Sequence, residues 1–157
     1  MKISLTPELS YLIGLWQARG SQEGVGICGN RRVCEIFLEE ALKIGIAKPD
    51  KIQLKEDKIY FYHSAYRAFF EEVLKERLER FKYKNEFAAQ YLAGVFDGCG
   101  GILEDGKGVF FACGNREDEM LLLRLGFKAK KVGKRIIVIG KEEFLGFVSK
   151  YLKYFEW

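Results

Sequence analysis

The sequence predicts an α+β protein in which one module of about 80 residues occurs twice. Residues 11–20, YLIGLWQARG, match residues 91–100, YLAGVFDGCG, at an offset of 80. The letters CGNR at 28–31 return at 113–116, at an offset of 85. Each copy continues with short strand patterns and amphipathic helix patterns. We therefore expect two pseudo-symmetric αββαββα halves, 1–80 and 81–157, in one compact domain whose two antiparallel sheets form a saddle.

The elements of the first half are bounded by helix caps and turn residues. We expect a first helix at 8–19 after Thr6-Pro7, followed by a tight Gly-rich hairpin at most before Asn30. A second helix is expected from the Asn30 cap to Gly45. Two strands around Glu56-Asp57 and a long helix capped by Ser64 complete the half. The segment 79–87 then links helix to helix.

The second half repeats this plan with clearer turns. The expected elements are a helix at 86–99 capped by Asn85, a hairpin turning at Asp105-Gly106, a helix beginning at NRED, a hairpin turning at Val132-Gly133, and a final helix beginning at Lys141.

Composition fits a folded protein outside the membrane. The chain has 157 residues, 48% of them hydrophobic and 15% aromatic, with only two prolines, which is enough apolar material for a core. No apolar run approaches the ~18 residues of a membrane span, and no signal peptide is apparent, so we expect the cytoplasm. Lysine and glutamate number 17 each, whereas asparagine and glutamine total seven, a balance that resembles thermophile proteins.

The four cysteines, Cys28, Cys34, Cys99 and Cys113, form no CxxC pair and so predict no zinc site. Reduced thiols packed in the core are the first expectation, and a disulfide is the alternative if the source is a thermophile. Cys28 and Cys113 are equivalent in the repeat, which leaves open whether they lie together or apart. No metal or cofactor is expected. The single histidine, His63, lies at a strand-to-helix junction and is expected to cap or pack.

The repeated motif resembles that of the LAGLIDADG homing endonucleases in their single-chain, two-motif form. The strings LAGVFDGCG (92–100) and LIGLWQARG (12–20) each keep five of the nine consensus letters. The resemblance implies that the two motif helices pack side by side on a pseudo-twofold axis. Small residues four apart on one helix face permit such close approach; here they are Gly14, Ala18, Gly94 and Gly98.

The eighth motif position departs from the family in both copies. The resemblance implies an acid there, normally Asp, which binds Mg²⁺ at the scissile phosphates. This sequence has Arg19 and Cys99 instead. A guanidinium stays protonated and has no acceptor, and a thiol is a soft ligand poorly suited to Mg²⁺. The sequence therefore predicts that the catalytic acids of the family are missing.

The basic segments are the candidate contacts to nucleic acid. The family reads DNA with long β-ribbons, but only nine residues separate Gly20 from Asn30 and fourteen separate Gly100 from Asn115. The second hairpin of each half carries more cations, together with Tyr60 and Tyr62 in the first half. With Arg19 at the emptied metal position, the expected nucleic-acid contacts are Lys48, Lys51, Lys55, Lys58, Lys128, Lys130, Lys131, Lys134 and Arg135. The alternative is a solvated strand edge protected by lysine against aggregation.

Three functions compete at this point. The first is a monomeric protein that resembles homing endonucleases, binds duplex DNA or structured RNA on its sheet saddle and does not cut; its net charge of +4 permits this role. The second is an active metal-dependent DNA endonuclease whose carboxylates are displaced to Glu23, Glu104 or Asp105. The third is a protein-interaction scaffold that binds no nucleic acid. A further protein partner is compatible with any of these.

Overall fold

The computed structural model describes residues 2–156. The seven α-helices of this range are α1 (Pro7–Arg19), α2 (Arg31–Ile44), α3 (Ser64–Lys75), α4 (Arg77–Arg80), α5 (Glu86–Cys99), α6 (Arg116–Arg124) and α7 (Lys141–Val148). The seven strands are β1 (Val25–Cys28), β2 (Gln53–Lys55), β3 (Lys58–Phe61), β4 (Gly100–Ile102), β5 (Gly108–Phe111), β6 (Lys128–Val132) and β7 (Arg135–Ile139). The α+β class with two antiparallel sheets is thus confirmed.

Helices α1 and α5 form the centre of the molecule and pack along each other. They match the ranges predicted from the motifs to within one residue. Most of their length is buried: Tyr11, Leu12 and Ile13 of α1 and Tyr91 and Leu92 of α5 have no exposed surface. Buried apolar side chains from the other helices and from both sheets join the same core. The motif helices are therefore the axis around which the core is assembled.

The two sheets follow one plan but differ by a strand. The second sheet has the order β4-β5-β7-β6 and the first has β1-β3-β2, with all pairs antiparallel. The place of the missing strand is taken by a single bridge between Gly20 and Ile27. The nine residues between Gly20 and Asn30 form only β1 and this bridge, whereas the fourteen between Gly100 and Asn115 complete a full hairpin. The Asp105-Gly106 turn is confirmed, with Gly106 at φ 71° and Lys107 N–H donating to Asp105.

The caps predicted at Asn30 and Asn85 are confirmed, Asn115 is a third cap of the same kind, and the cap predicted at Ser64 is wrong. Side chains of Asn30, Asn85 and Asn115 accept from the backbone N–H three residues ahead, at 2.8–3.2 Å. In α3 the cap is His63, whose Nδ1 accepts from Tyr66 N–H, and Ser64 is the first helical residue. The long helix predicted after Ser64 also breaks at Glu76 into α3 and α4. A capping role for His63 agrees with the sequence analysis.

Within residues 2–156, the structure contains no helix that is both long enough and apolar enough to cross a membrane.

Candidate nucleic-acid interface

The two motif glycines allow the backbones of α1 and α5 to touch. A Cβ built on Gly14 would lie 2.9 Å from the amide nitrogen of Val95 and closer still to the carbonyl oxygen of Tyr91. A Cβ on Gly94 would meet Leu15 and Tyr11 in the same way, at 2.9 Å from the Leu15 nitrogen. One turn further on, Gly98 lies against the methyl group of Ala18, so all four small residues of the motifs lie at this contact.

Arg19, at the first of the two acid positions, turns toward the end of the neighbouring helix. Its Nε donates to the carbonyl oxygen of Gly98 in the last turn of α5. A cation near a helix C-terminus is stabilised by the partial negative charge of the unpaired carbonyls there. The aliphatic part of Arg19 also passes Gly29, where a Cβ would lie 3.4 Å from its Cδ. Arg19 as a whole is exposed, and its Nη1 also lies near Gly29, where a Cβ would be 3.5 Å away.

Cys99, at the second acid position, is bonded to Cys113. The two Cα atoms lie 6.0 Å apart, and the disulfide ties the end of α5 to the loop after β5. The expectation of reduced core thiols is therefore wrong for this pair, because the hairpin of β4 and β5 brings the two residues together. Cys28 and Cys34 are free, the first exposed and the second buried, and burial raises the pKa of the Cys34 thiol. Cys28 and Cys113 are not bonded to each other.

The three carboxylates considered for a displaced metal site lie in two loops, Glu23 before β1 and Glu104 with Asp105 in the turn between β4 and β5. Glu23 pairs with Lys58 at 2.8 Å, and this hydrogen bond lowers the pKa of the Glu23 carboxyl. Asp105 accepts the Lys107 N–H of its own turn, and Glu104 is exposed beside it. Among the described residues, no three His, Cys, Asp or Glu side chains are grouped closely enough to hold a metal ion.

Asp97, the sixth residue of the second motif, anchors the C-terminal segment. Its Oδ2 accepts from the Tyr11 hydroxyl at 2.6 Å and from Lys153 N–H at 2.8 Å, and its Oδ1 accepts from Phe155 N–H at 2.8 Å. The side chain is almost completely buried. Burial and the neighbouring Asp97 carboxylate raise the pKa of Tyr11 far above its usual range. The sequence offered one signal of this role, an acid within an otherwise apolar helix.

The equivalent tyrosine of α5 uses different partners. The Tyr91 hydroxyl donates to Asp118 at 2.7 Å, and the Arg77 guanidinium donates to the same carboxylate oxygen at 2.9 Å. Burial raises the pKa of both Tyr91 and Asp118. This network joins α4, α5 and α6, whereas Tyr11 and Asp97 join α1, α5 and the C-terminal segment. Sequence reasoning missed both networks because their members are far apart in the chain.

The first sheet has one face toward the helices and one face away from them. Ile59 and Phe61 point into the core, so the residues between and beside them on β3 point outward. Cross-strand pairing places Gln53 opposite Tyr60 and Lys55 opposite Lys58 on that outward side. We call this surface the first outer face; its side chains are Gln53, Lys55, Lys58, Tyr60 and Tyr62. Lys48 and Lys51 lie outside it, in the connection between α2 and β2.

The second sheet divides the predicted basic run between its two sides. Ile136 and Val138 of β7 are buried in the core. On the same core-facing side, Lys131 pairs with Ile136 and Ala129 pairs with Val138. Lys131 N–H donates to Glu119 of α6, and its Nζ donates to the Gly133 carbonyl. Lys134 is exposed in the hairpin turn. The opposite side is the second outer face, formed by Phe110, Lys128, Lys130, Val132, Arg135, Ile137 and Ile139.

Comparison with solved structures identifies the fold. The homing endonuclease I-DmoI in complex with DNA and calcium superposes with a TM-score of 0.64 at 14% identity, over 92% of this chain and 88% of that one. The N-terminal LAGLIDADG domain of DUF199/WhiA gives a TM-score of 0.62 at 15% identity, over 96% and 86%. No protein-family model matches the sequence, and no curated protein shows significant similarity to it.

The architecture is that of the LAGLIDADG homing-endonuclease fold. The resemblance predicted from the two motifs is confirmed at the level of fold, over most of the chain. Within this fold, the chain is a two-motif, single-chain variant with an arginine and a disulfide-bonded cysteine at the motif positions where acids were expected.

Proposed function

We propose that the protein binds nucleic acid on the outer faces of its sheets and does not cleave it by the metal-dependent reaction. The observation that carries this proposal is the chemistry at the adjacent ends of α1 and α5. Arg19 donates to Gly98 and Cys99 is held in a disulfide, so neither position supplies an oxygen ligand for a hard divalent cation. A guanidinium between the helix ends would attract a phosphate and repel a metal ion.

The charges on the outer faces support binding to a polyanion. Lys55 and Lys58 lie on the first outer face, and Lys128, Lys130 and Arg135 lie on the second. Glu23 neutralises Lys58, and the hairpin turns add Glu56, Asp57, Glu104 and Asp105 at their tips. In the part of the chain that the structure describes, the outer faces thus carry unpaired cations at Lys55 on the first and at Lys128, Lys130 and Arg135 on the second, with Lys134 in the exposed turn beside it. The similarity in fold to I-DmoI, whose structure is known in complex with DNA, supports nucleic acid as the class of ligand.

A single chain is sufficient for this function. Both motif helices belong to the same chain and bury their shared contact completely, so a second copy is not needed to complete the axis. We infer that the segments 1–80 and 81–157 act as the two halves of one monomeric binding unit, each half presenting one outer face.

Fluorescence anisotropy with a labelled DNA duplex and a labelled RNA hairpin tests the binding proposal. Affinity is expected to fall steeply with salt, by about 0.9 log units per log unit of salt for each duplex phosphate contact, because binding releases counterions. The absence of binding to either probe at the lowest salt would refute the proposal and favour the protein-interaction scaffold.

A cleavage assay tests the second half of the proposal. Supercoiled plasmid and linear duplex are incubated with the protein in Mg²⁺ or Mn²⁺, with and without chelator. We expect the substrates to remain intact. Cleavage that chelator abolishes, and that co-purifies with the protein but not with a mock preparation, would support an active endonuclease with a rearranged site.

A further inference from the structure

We propose that the outer faces bind unpaired bases, so that the ligand is single-stranded nucleic acid or the loop of a folded strand. This inference rests on the proposed function and specifies its ligand class. Its basis is a set of exposed stacking groups beside cations, on strands too short to fill a duplex groove.

The first outer face carries an exposed aromatic ring on a fixed support. Tyr62 is 69% exposed, and its ring meets that of Tyr60 edge-on at 5.6 Å. Tyr60 itself is only 6% exposed, because Tyr62 and the side chains of Lys55 and Lys58 cover it. Both lysine Nζ atoms lie 5.8 Å from the Tyr60 ring centroid. A base stacked on Tyr62 would therefore have the Lys55 ammonium close by for its flanking phosphate, whereas the Lys58 ammonium is paired with Glu23.

Two glycines lie beside these tyrosines and add no side chain that would cover the Tyr62 ring. Gly26 pairs with Tyr60 across β1 and β3, and Gly24 lies against Tyr62. A Cβ at Gly24 would lie 3.2 Å from the Tyr62 ring. Strand β1 thus adds little side-chain bulk to this part of the face, so a base can approach the Tyr62 ring from that side.

On the second outer face, the guanidinium of Arg135 lies against the aromatic ring of Phe110. The Arg135 guanidinium lies 4.0 Å from the centroid of Phe110, and the Phe110 ring lies over Gly101 of β4. Bases stack on guanidinium planes as well as on aromatic rings. Val132 and Ile139 are about half exposed on the same face, between Lys128, Lys130 and Arg135. These apolar side chains have no hydrogen-bonding groups, but they can contact the face of an unstacked base.

The same surfaces are poorly equipped to read a duplex. Sequence readout in the major groove uses bidentate amide, guanidinium and carboxylate groups carried on an element that enters the groove. Among the described residues of the two outer faces, Gln53 is the only amide, Arg135 is the only arginine and its guanidinium lies on the Phe110 ring, and the longest strands have five residues. At ~3.3 Å per residue such strands extend about 17 Å, which is short for a groove-filling ribbon. Sheets that combine aromatic groups with cations are instead typical of single-strand binding.

The test compares a labelled oligothymidine with a duplex of the same length, both by anisotropy across a salt series. We expect the single strand to bind more tightly than the duplex at every salt concentration. Tyr62→Ala should weaken single-strand binding by about fivefold or more, because it removes a stacking surface. Tyr62→Phe should retain the affinity, since the ring remains.

The chain provides a matched control for this tyrosine. Tyr83 is 67% exposed, almost the same as Tyr62, but lies in the segment between α4 and α5. Tyr83→Ala should leave binding unchanged. Arg135→Lys, which keeps the charge and loses the planar group, should weaken single-strand binding without reducing its salt dependence. Circular dichroism melting of each variant shows whether it is folded before binding is measured.

The possible outcomes separate the two proposals. Duplex binding equal to or tighter than single-strand binding, with Tyr62→Ala no different from Tyr83→Ala, would overturn this inference and leave the proposed function standing. No binding of either probe would overturn both. Preference for the single strand, together with loss on Tyr62→Ala and retention on Tyr62→Phe, would establish stacking as the mode of recognition.

Discussion

Gly14 lies directly against the backbone of Tyr91, and a Cβ built there would be 3.1 Å from the Tyr91 carbonyl carbon and nearer to its oxygen. The pseudo-symmetric relation holds between Gly94 and Tyr11. Because the neighbouring atoms belong to helix backbones, they cannot move aside as a flexible side chain could. The two helices can be this close only while both positions lack a side chain.

Gly14→Ala is expected to destabilise the protein by about 2 to 3 kcal/mol, the upper part of the usual cost of overpacking a core. The matched control is Gly146→Ala, also within a helix, where nothing lies within 4 Å of the new methyl group. That control should stabilise the protein by up to about 1 kcal/mol through helix propensity alone. Urea unfolding of the three proteins measures the difference. Equal changes at both positions would contradict the close approach of α1 and α5.

Lys130→Ala should weaken duplex or hairpin binding and reduce the salt slope by about 1. Lys131→Ala should change neither quantity by a measurable amount. The two lysines are adjacent in sequence but lie on opposite sides of β6, with Lys130 on the second outer face and Lys131 beside α6. Anisotropy titrations at several salt concentrations give both slopes. If the variants lose affinity equally, the contact surface is not the outer face.

Asp97→Ala is expected to destabilise the protein by about 3 kcal/mol or more, since hydrogen bonds to a charged group contribute about 1.5 to 3 kcal/mol each and several donors lose their acceptor. The backbone N–H groups of Lys153 and Phe155 should also exchange faster with deuterium, because Asp97 is their acceptor. Asp105→Asn, in an exposed turn, is the control and should have little effect. Unchanged exchange in residues 153–155 of the Asp97 variant would refute the anchoring role.

Reduction of the Cys99–Cys113 disulfide should lower the free energy of unfolding by about 3 kcal/mol. This is the contribution expected when a cross-link that closes a loop of this length no longer restricts the conformational entropy of the unfolded chain. Thermal unfolding of the wild type should therefore shift to lower temperature in dithiothreitol. A Cys99→Ser, Cys113→Ser double variant should melt at that lower temperature with or without reductant. A wild-type melting temperature that is insensitive to reductant, with two free thiols titrated in the native protein, would show that the bond is absent in solution.

Local sequence signals determined the helices, their caps and the repeated plan. The motif strings located α1 and α5 to within one residue, and the asparagine caps of α2 and α5 were predicted from residue type and spacing. These features depend on interactions within a few residues along the chain, so the sequence alone carries them. That Arg19 and Cys99 stand where the resemblance to the family implies acids is equally visible in the sequence, because it needs only the two motif strings and that resemblance.

Only the tertiary structure decided which distant residues meet. The bond of Cys99 to Cys113 rather than any other pairing, the attachment of residues 153–155 to Asp97, and the separation of Lys130 from Lys131 all depend on how elements pack. The number of residues before Asn30 explains why the first hairpin is short. That this hairpin is reduced to one bridge at Gly20 is visible only in the folded sheet. Such contacts join residues far apart in sequence. Residue type does not specify them, because the chain contains several residues of the same chemical type that could have made each contact.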